Sequence, residues 1–234
     1  MKQTAVLLIT LALSGGSGWS ATLADLDRYE AALASNADDI RAASEYRQAV
    51  IQLKQYDRCI KFFEDLTAKN GAASNAFLNY GFAYVDKIPD AGAITQVILA
   101  NTALTHFSKS IEIKPSWIGL YTRGNSYLYW PKIFQKAQLG VNDLENAMRM
   151  QKQTGKTLSY HVRAYISLGD GYWKMDNIEK AREVWQEGAK LFPGEERLKA
   201  RLSRQGDELA KYIDDVLDPN KRVDTNLHEI WGEK

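Results

Sequence analysis

A glycine followed three residues later by a tyrosine recurs at Gly81–Tyr84, Gly124–Tyr127 and Gly169–Tyr172. Each pair sits in an amphipathic stretch that reads as helix, where a glycine costs about 1 kcal/mol relative to alanine. Three such costs in matching surroundings need a common cause, and close approach of a second helix supplies one. The surroundings do match. The clearest unit begins near Val162, with Tyr165, Leu168, Gly169 and Tyr172 on one helix, Ala181, Trp185 and Gly188 on the next, and Pro193 ending the second. Counted from the start of the unit these are positions 4, 7, 8, 11, 20, 24, 27 and 32.

Earlier stretches fit the same frame. From Ile40 the unit has Ala43, Tyr46 and Val50, then Cys59, Phe63 and Leu66, with Gly71 in the place of the proline. From Ser74 come Phe77, Tyr80, Gly81 and Tyr84, and after about ten inserted residues Ala103, Phe107, Ser110 and Pro115. From Trp117 come Leu120, Arg123, Gly124 and Tyr127, and after about four inserted residues around Trp130-Pro131, Gly140, Leu144 and Ala147. Upstream, Tyr29 and Ala32 occupy positions 24 and 27 of a preceding second helix.

This series resembles the tetratricopeptide repeat (TPR), a helix pair of about 34 residues, over residues 23–195. The resemblance implies an all-α chain, a right-handed superhelix of stacked antiparallel helix pairs. Small residues at positions 8 and 20 let the two helices of a unit approach, and large ones at 4, 11 and 24 fill the space around the crossing. A stacked array needs a polar-backed end. Glu195–Leu217 reads as that capping helix, with Leu198, Leu202, Leu209, Ile213 and Leu217 in one stripe and Pro219 as its stop. The expected organisation is therefore an export signal over 1–20, a repeat domain over 21–217 and a tail over 218–234. The units lie near 40–73, 74–116, 117–155 and 162–195, followed by the cap over 195–217.

The N-terminus differs in kind from the rest. Lys2 precedes the apolar run Ala5–Leu13, and small residues follow up to Ser20. That is the layout of a secretory signal, with cleavage expected after Ser20. The apolar run is too short for a stable span once about 20 residues are required. Cleavage would remove Lys2 and leave 29 basic against 29 acidic residues. Such balance argues against nucleic acid as a partner. The one cysteine, Cys59, lies far from the cut, so no lipid-acceptor cysteine and no intrachain disulfide are expected. No Asn-x-Ser/Thr acceptor occurs. Together these point to a periplasmic or secreted bacterial protein.

No catalytic set emerges. Gly169-Asp170-Gly171 would suit a phosphate loop only between a strand and a helix N-terminus, and here it lies within a helix. Position 8 accounts for Gly169; Gly171 has no such slot and reads as a local softening or as room for a ligand. His106, His161 and His228 lie far apart, without a paired-cysteine motif, so no metal or cofactor is expected. Cys59 falls at a buried small-residue position and should be inert. The acid pairs Asp38-Asp39, Glu195-Glu196 and Asp214-Asp215 fall at helix ends.

The resemblance does imply a binding face. TPR superhelices line their concave side with positions 2, 5, 9, 12 and 13 of the first helices. Here those positions supply a candidate groove of Gln48, Gln52, Asn75, Phe82, Asp86, Tyr121, Asn125, Tyr129, Arg163, Asp170, Trp173 and Lys174. Aromatic area beside amides and charges suits a protein or peptide partner. The pattern of TPR modules that grip a chaperone's C-terminal carboxylate is not met: only Asn79 matches, and its cations are missing. Two irregular segments complete the chain. The insert Val85–Asn101 reads as an exposed apolar lip, and the tail carries Leu227, Ile230 and Trp231 at helical spacing, able to fold into the groove or dock a partner. The expected function is a non-enzymatic scaffold or assembly adaptor of the cell envelope. The alternative is a small-molecule-binding or transport-accessory protein using the aromatic groove. An open, continuous groove would favour the first; closure by insert or tail would favour the second.

Overall fold

The computed structural model describes residues 20–232, so the expected export signal, apart from Ser20, lies outside the described residues. Among the described residues there are twelve α-helices and no strand. The first three are α1 (Leu23–Ser35), α2 (Ile40–Leu53) and α3 (Tyr56–Lys69), and the next are α4 (Ser74–Lys87), α5 (Ala93–Ile113) and α6 (Trp117–Leu128). Then come α7 (Ala137–Thr154), α8 (Val162–Lys174) and α9 (Ile178–Leu191). The C-terminal part holds α10 (Glu196–Leu202), α11 (Gly206–Val216) and the single turn α12 (Glu229–Gly232). No helix among these residues is long and apolar enough to cross a membrane.

Local chemistry sets the boundaries. Thr22 and Asp25 form a reciprocal capping box on α1, while Asp39, Ser116 and Asn177 accept from first-turn amides of α2, α6 and α9. Glu195 likewise caps α10. Asp214 and Asp215, by contrast, lie in the last turn of α11, where the helix dipole opposes an acid. Asp215 there takes an ion pair from Lys221 at 2.5 Å.

Helices pair in chain order, α4 with α5, α6 with α7 and α8 with α9, and each pair stacks on the next. The crossings are as tight as the glycines imply. A methyl group on Gly124 would lie 2.9 Å from Leu144 Cγ, and one on Gly140 only 2.6 Å from the Gly124 carbonyl. Gly171, which the repeat pattern leaves unassigned, has the same cause one layer on. Its added methyl would meet Val141 Cγ2 of α7 at 2.8 Å, so a neighbouring unit, not a ligand, takes the space. In the first pair Arg47 stands at position 8, and α2 and α3 are correspondingly less closely packed than the later pairs.

Two expectations change shape. The insert is mostly helix: α5 runs 21 residues against 14 for α3, an extension of about 10 Å. Its first turns leave Ile94, Val97 and Ile98 exposed, the apolar lip. The cap is two helices and not one. The chain breaks between Leu202 and Gly206, where Gly206 takes φ 48°, a left-handed conformation that glycine adopts without Cβ strain. Leu198, Leu209, Ile213 and Leu217 still join the cluster that holds Tyr165 and Trp185.

Candidate binding groove

The first helices, α2, α4, α6 and α8, share one face, and the C-terminal segment lies across it. After α11 the chain runs back without regular structure and reaches α2 and α4. Arg222 starts the contact, donating to the Asp86 carbonyl and to Tyr56 Oη, each at 3.1 Å, and to Asp90 at 3.1 Å. Thr225 is the anchor. Its hydroxyl donates to Asp86 Oδ1 at 2.5 Å and accepts from Arg47 Nη1 at 3.0 Å, and its carbonyl accepts from Arg47 Nη2 at 2.8 Å. Arg47 also pairs with Asp86 at 2.7 Å, both side chains almost wholly buried, and donates through Nε to Asn79 at 2.9 Å. Phe82 lies beneath the guanidinium, 4.6 Å from ring centroid to Cζ.

Two residues on, the Leu227 amide donates to Ser44 Oγ at 3.3 Å and its side chain is buried among Leu78, Phe82, Leu104 and Phe107. Glu229 then forms a two-pronged ion pair with Arg163 of α8, at 2.9 and 2.8 Å. That contact holds the Glu229 carboxyl below its ordinary value and lifts the Arg163 guanidinium. Alternate tail residues thus meet a charged niche, an apolar niche and a cation.

Under the tail lies a cavity of about 570 Å³. Its walls come from α4, the α5 extension, α6, α8, the cap and the tail itself. Of the sequence-derived candidates, the cavity collects Phe82, Tyr121, Asn125, Tyr129, Arg163 and Asp170. Tyr121 stacks on Trp117 with centroids 5.1 Å apart. Burial pushes the Tyr129 hydroxyl up to about 12, so it stays protonated. Asn125 Oδ1 accepts from Ser167 Oγ at 2.8 Å. Asp170 faces the cavity but is committed to structure, held by both prongs of Arg201 from α10 at 2.6 Å. Burial raises its carboxyl despite that cation.

The other candidates stand elsewhere. Asp86 belongs to the Thr225 niche beside the cavity, and Gln48 has a buried amide nitrogen without a partner among the described residues. Gln52 accepts from the Ala21 amide at 3.0 Å, and Asn75 is tied to Asp38, donating to its carboxylate and its carbonyl. Lys174 caps α6, donating to the carbonyls of Leu128 and Trp130. Trp173 packs against the α6–α9 core, with the Lys132 ammonium 5.1 Å from its ring. Ser44, at groove position 5 of the first unit, meets the tail, while Arg47 and Arg201 and the tail residues Thr225 and Glu229 are positions that the repeat frame does not single out. Arg47 carried a signal, since a cation at a small-residue position has to leave the crossing and find an acid.

Cys59 is buried, and burial pushes its thiol well above the ordinary value. His106 stacks on Tyr80, at 3.8 Å between centroids, with Tyr84 beside it at 5.5 Å; burial lowers it to about 4, leaving it neutral. No cluster of three or more His, Cys, Asp or Glu side chains among the described residues could hold a metal ion.

No protein-family model and no curated protein matches the chain. Among solved structures it resembles a thermophilic TPR protein of Thermus thermophilus, with a TM-score of 0.56 and 17% identity, over 76% of this chain and 87% of the other. At that identity the likeness concerns the fold. This chain folds as a TPR-like all-α solenoid whose first-helix face is occupied by its own C-terminal segment.

Proposed function

We propose that this protein is a non-enzymatic, exported scaffold that binds an extended segment of a partner protein on the first-helix face. The observation that carries the reading is the tail: residues 222–227 already lie there without helical structure and lead into the turn that opens α12, with Thr225, Leu227 and Glu229 each in a formed niche. A partner segment that offers a hydroxyl, an aliphatic and an acidic side chain at alternate positions would use the same groups. The tail closes the face, which favours the small-molecule alternative over an open groove; for a partner segment the tail is a competitor, so the apparent affinity falls in proportion to the fraction of molecules with the tail released. The apolar run at the N-terminus supports a place in the cell envelope; recovery of the uncut chain in the cytosolic fraction would count against it.

The test uses the full chain with Leu227→Asp, which places a charge where Leu78, Phe82 and Phe107 expect an aliphatic side chain. A fluorescein-labelled peptide of residues 219–231 should bind this variant saturably, and the wild type at least about ten-fold more weakly. Equal binding by both, or none by the variant, refutes the reading.

A further inference from the structure

Three departures from the repeat pattern converge on one space. The α5 extension contributes Val97 and Ala100, the connection after α6 contributes Trp130 and Phe134, and the tail contributes Leu227 and Ile230 to the same cavity of about 570 Å³. That volume falls in the range of small-molecule sites, about 300–1,000 Å³. None of these segments is needed for helix pairs to stack, since α8 and α9 stack without any of them.

The chemistry of the walls restricts what fits. Every cation that lines the cavity already has its counter-charge: Arg163 with Glu229 at 2.8 Å, Arg197 with Glu195 at 2.7 Å, Arg201 with Asp170 at 2.6 Å and Lys221 with Asp215 at 2.5 Å. Asp224, the remaining acid, accepts from the Asn226 amide at 3.0 Å. An anionic ligand would find its counter-charge only by breaking one of these pairs. At the rim Val97 and Phe134 are 49% and 53% exposed.

We infer that this cavity is a binding site for a largely apolar small molecule that carries no negative charge. The site stands independently of the partner-peptide reading, because it is defined by the walls and not by displacement of the tail.

The full-length protein is titrated with prodan, a neutral naphthyl ketone, and with anilinonaphthalene sulfonate, which is of similar size but anionic. Prodan should show one saturable site with blue-shifted emission, and the sulfonate should bind at least about ten-fold more weakly. Ala100→Trp, which fills the cavity from α5, should abolish prodan binding, with an unchanged circular dichroism spectrum showing that the fold is retained. Ser126→Phe does the same from α6 should Ala100→Trp unfold. Ile94→Glu/Ile98→Glu removes the most exposed apolar side chains of the lip, which do not line the cavity, and should leave binding intact. The inference is overturned if the sulfonate binds as tightly as prodan, if a folded cavity-filling variant still binds, or if the lip variant loses binding.

Discussion

The Arg47–Asp86 pair ties the tail to the solenoid, and its burial sets what a substitution there costs. Both side chains are at most 3% exposed, and Arg47 donates to Asn79, Asp86 and Thr225 at once. Removing one partner of a buried pair leaves the other uncompensated, a loss of about 3–5 kcal/mol, whereas replacing both with apolar groups can be neutral. Arg47→Met should therefore destabilise by about 3–5 kcal/mol in urea, and Arg47→Met/Asp86→Leu should regain at least half of that. A double variant no more stable than the single one would mean that the tail contacts, and not the charge pair, dominate. Sequence alone exposes half of this site. Asp86 falls on a groove position of the repeat frame, but its partner Thr225 is 139 residues away, and no periodicity reports a contact between a repeat and an irregular tail. Asp170 is a similar case. It was legible as a groove residue, but its cation, Arg201, lies on a cap that the repeat frame does not describe.

Helix pairing was the most legible feature, because a glycine inside an amphipathic helix costs stability and so marks a close crossing. Gly124 shows why. Its added methyl would lie 3.0 Å from the Gly140 carbonyl and 2.9 Å from Leu144, and backbone cannot give way as a flexible side chain can. Gly124→Ala should lower stability by about 1–3 kcal/mol by overpacking, although alanine is the better helix former by about 1 kcal/mol. Gly71, in the turn between α3 and α4, has open space around it, so Gly71→Ala should be neutral or stabilise by up to about 1 kcal/mol. Denaturant midpoints for the two variants separate crossing glycines from turn glycines; equal shifts would contradict the packing account. The break in the cap was hidden for a physical reason. Leu198, Leu202, Leu209, Ile213 and Leu217 keep helical phase across it, so an apolar stripe reads the same for one bent helix or two short ones. The positive φ at Gly206 distinguishes them, and φ is not readable from hydrophobic spacing. The insert likewise reads as extra length, but whether the length is loop or helix follows from where α5 packs.

At the scale of the molecule, the C-terminal end of the stack and its first-helix face are covered by different kinds of contact, and truncation should reveal it. The cap buries Leu198, Leu209, Ile213 and Leu217 against the α8–α9 pair, each worth about 1.5–3 kcal/mol, and it supplies the arginine that pairs with buried Asp170. Loss of residues 195–234 thus exceeds what one helix pair gains by stacking on its single remaining neighbour. Loss of residues 218–234 is smaller, uncovering Leu227's niche and the Arg47–Asp86 pair, both on a face that water can then reach. The chain ending at Leu217 should unfold in one transition at a modestly lower temperature, with the α8 and α9 amides still protected from hydrogen exchange. The chain ending at Gly194 should lose that protection in α8 and α9 well below the transition of the rest. Equal protection of these two helices in both truncations would show that the cap is dispensable. Early exchange spreading through α2 and α4 in the Leu217 chain would instead assign the tail a structural role across the whole stack, and the competition between tail and partner would no longer describe it.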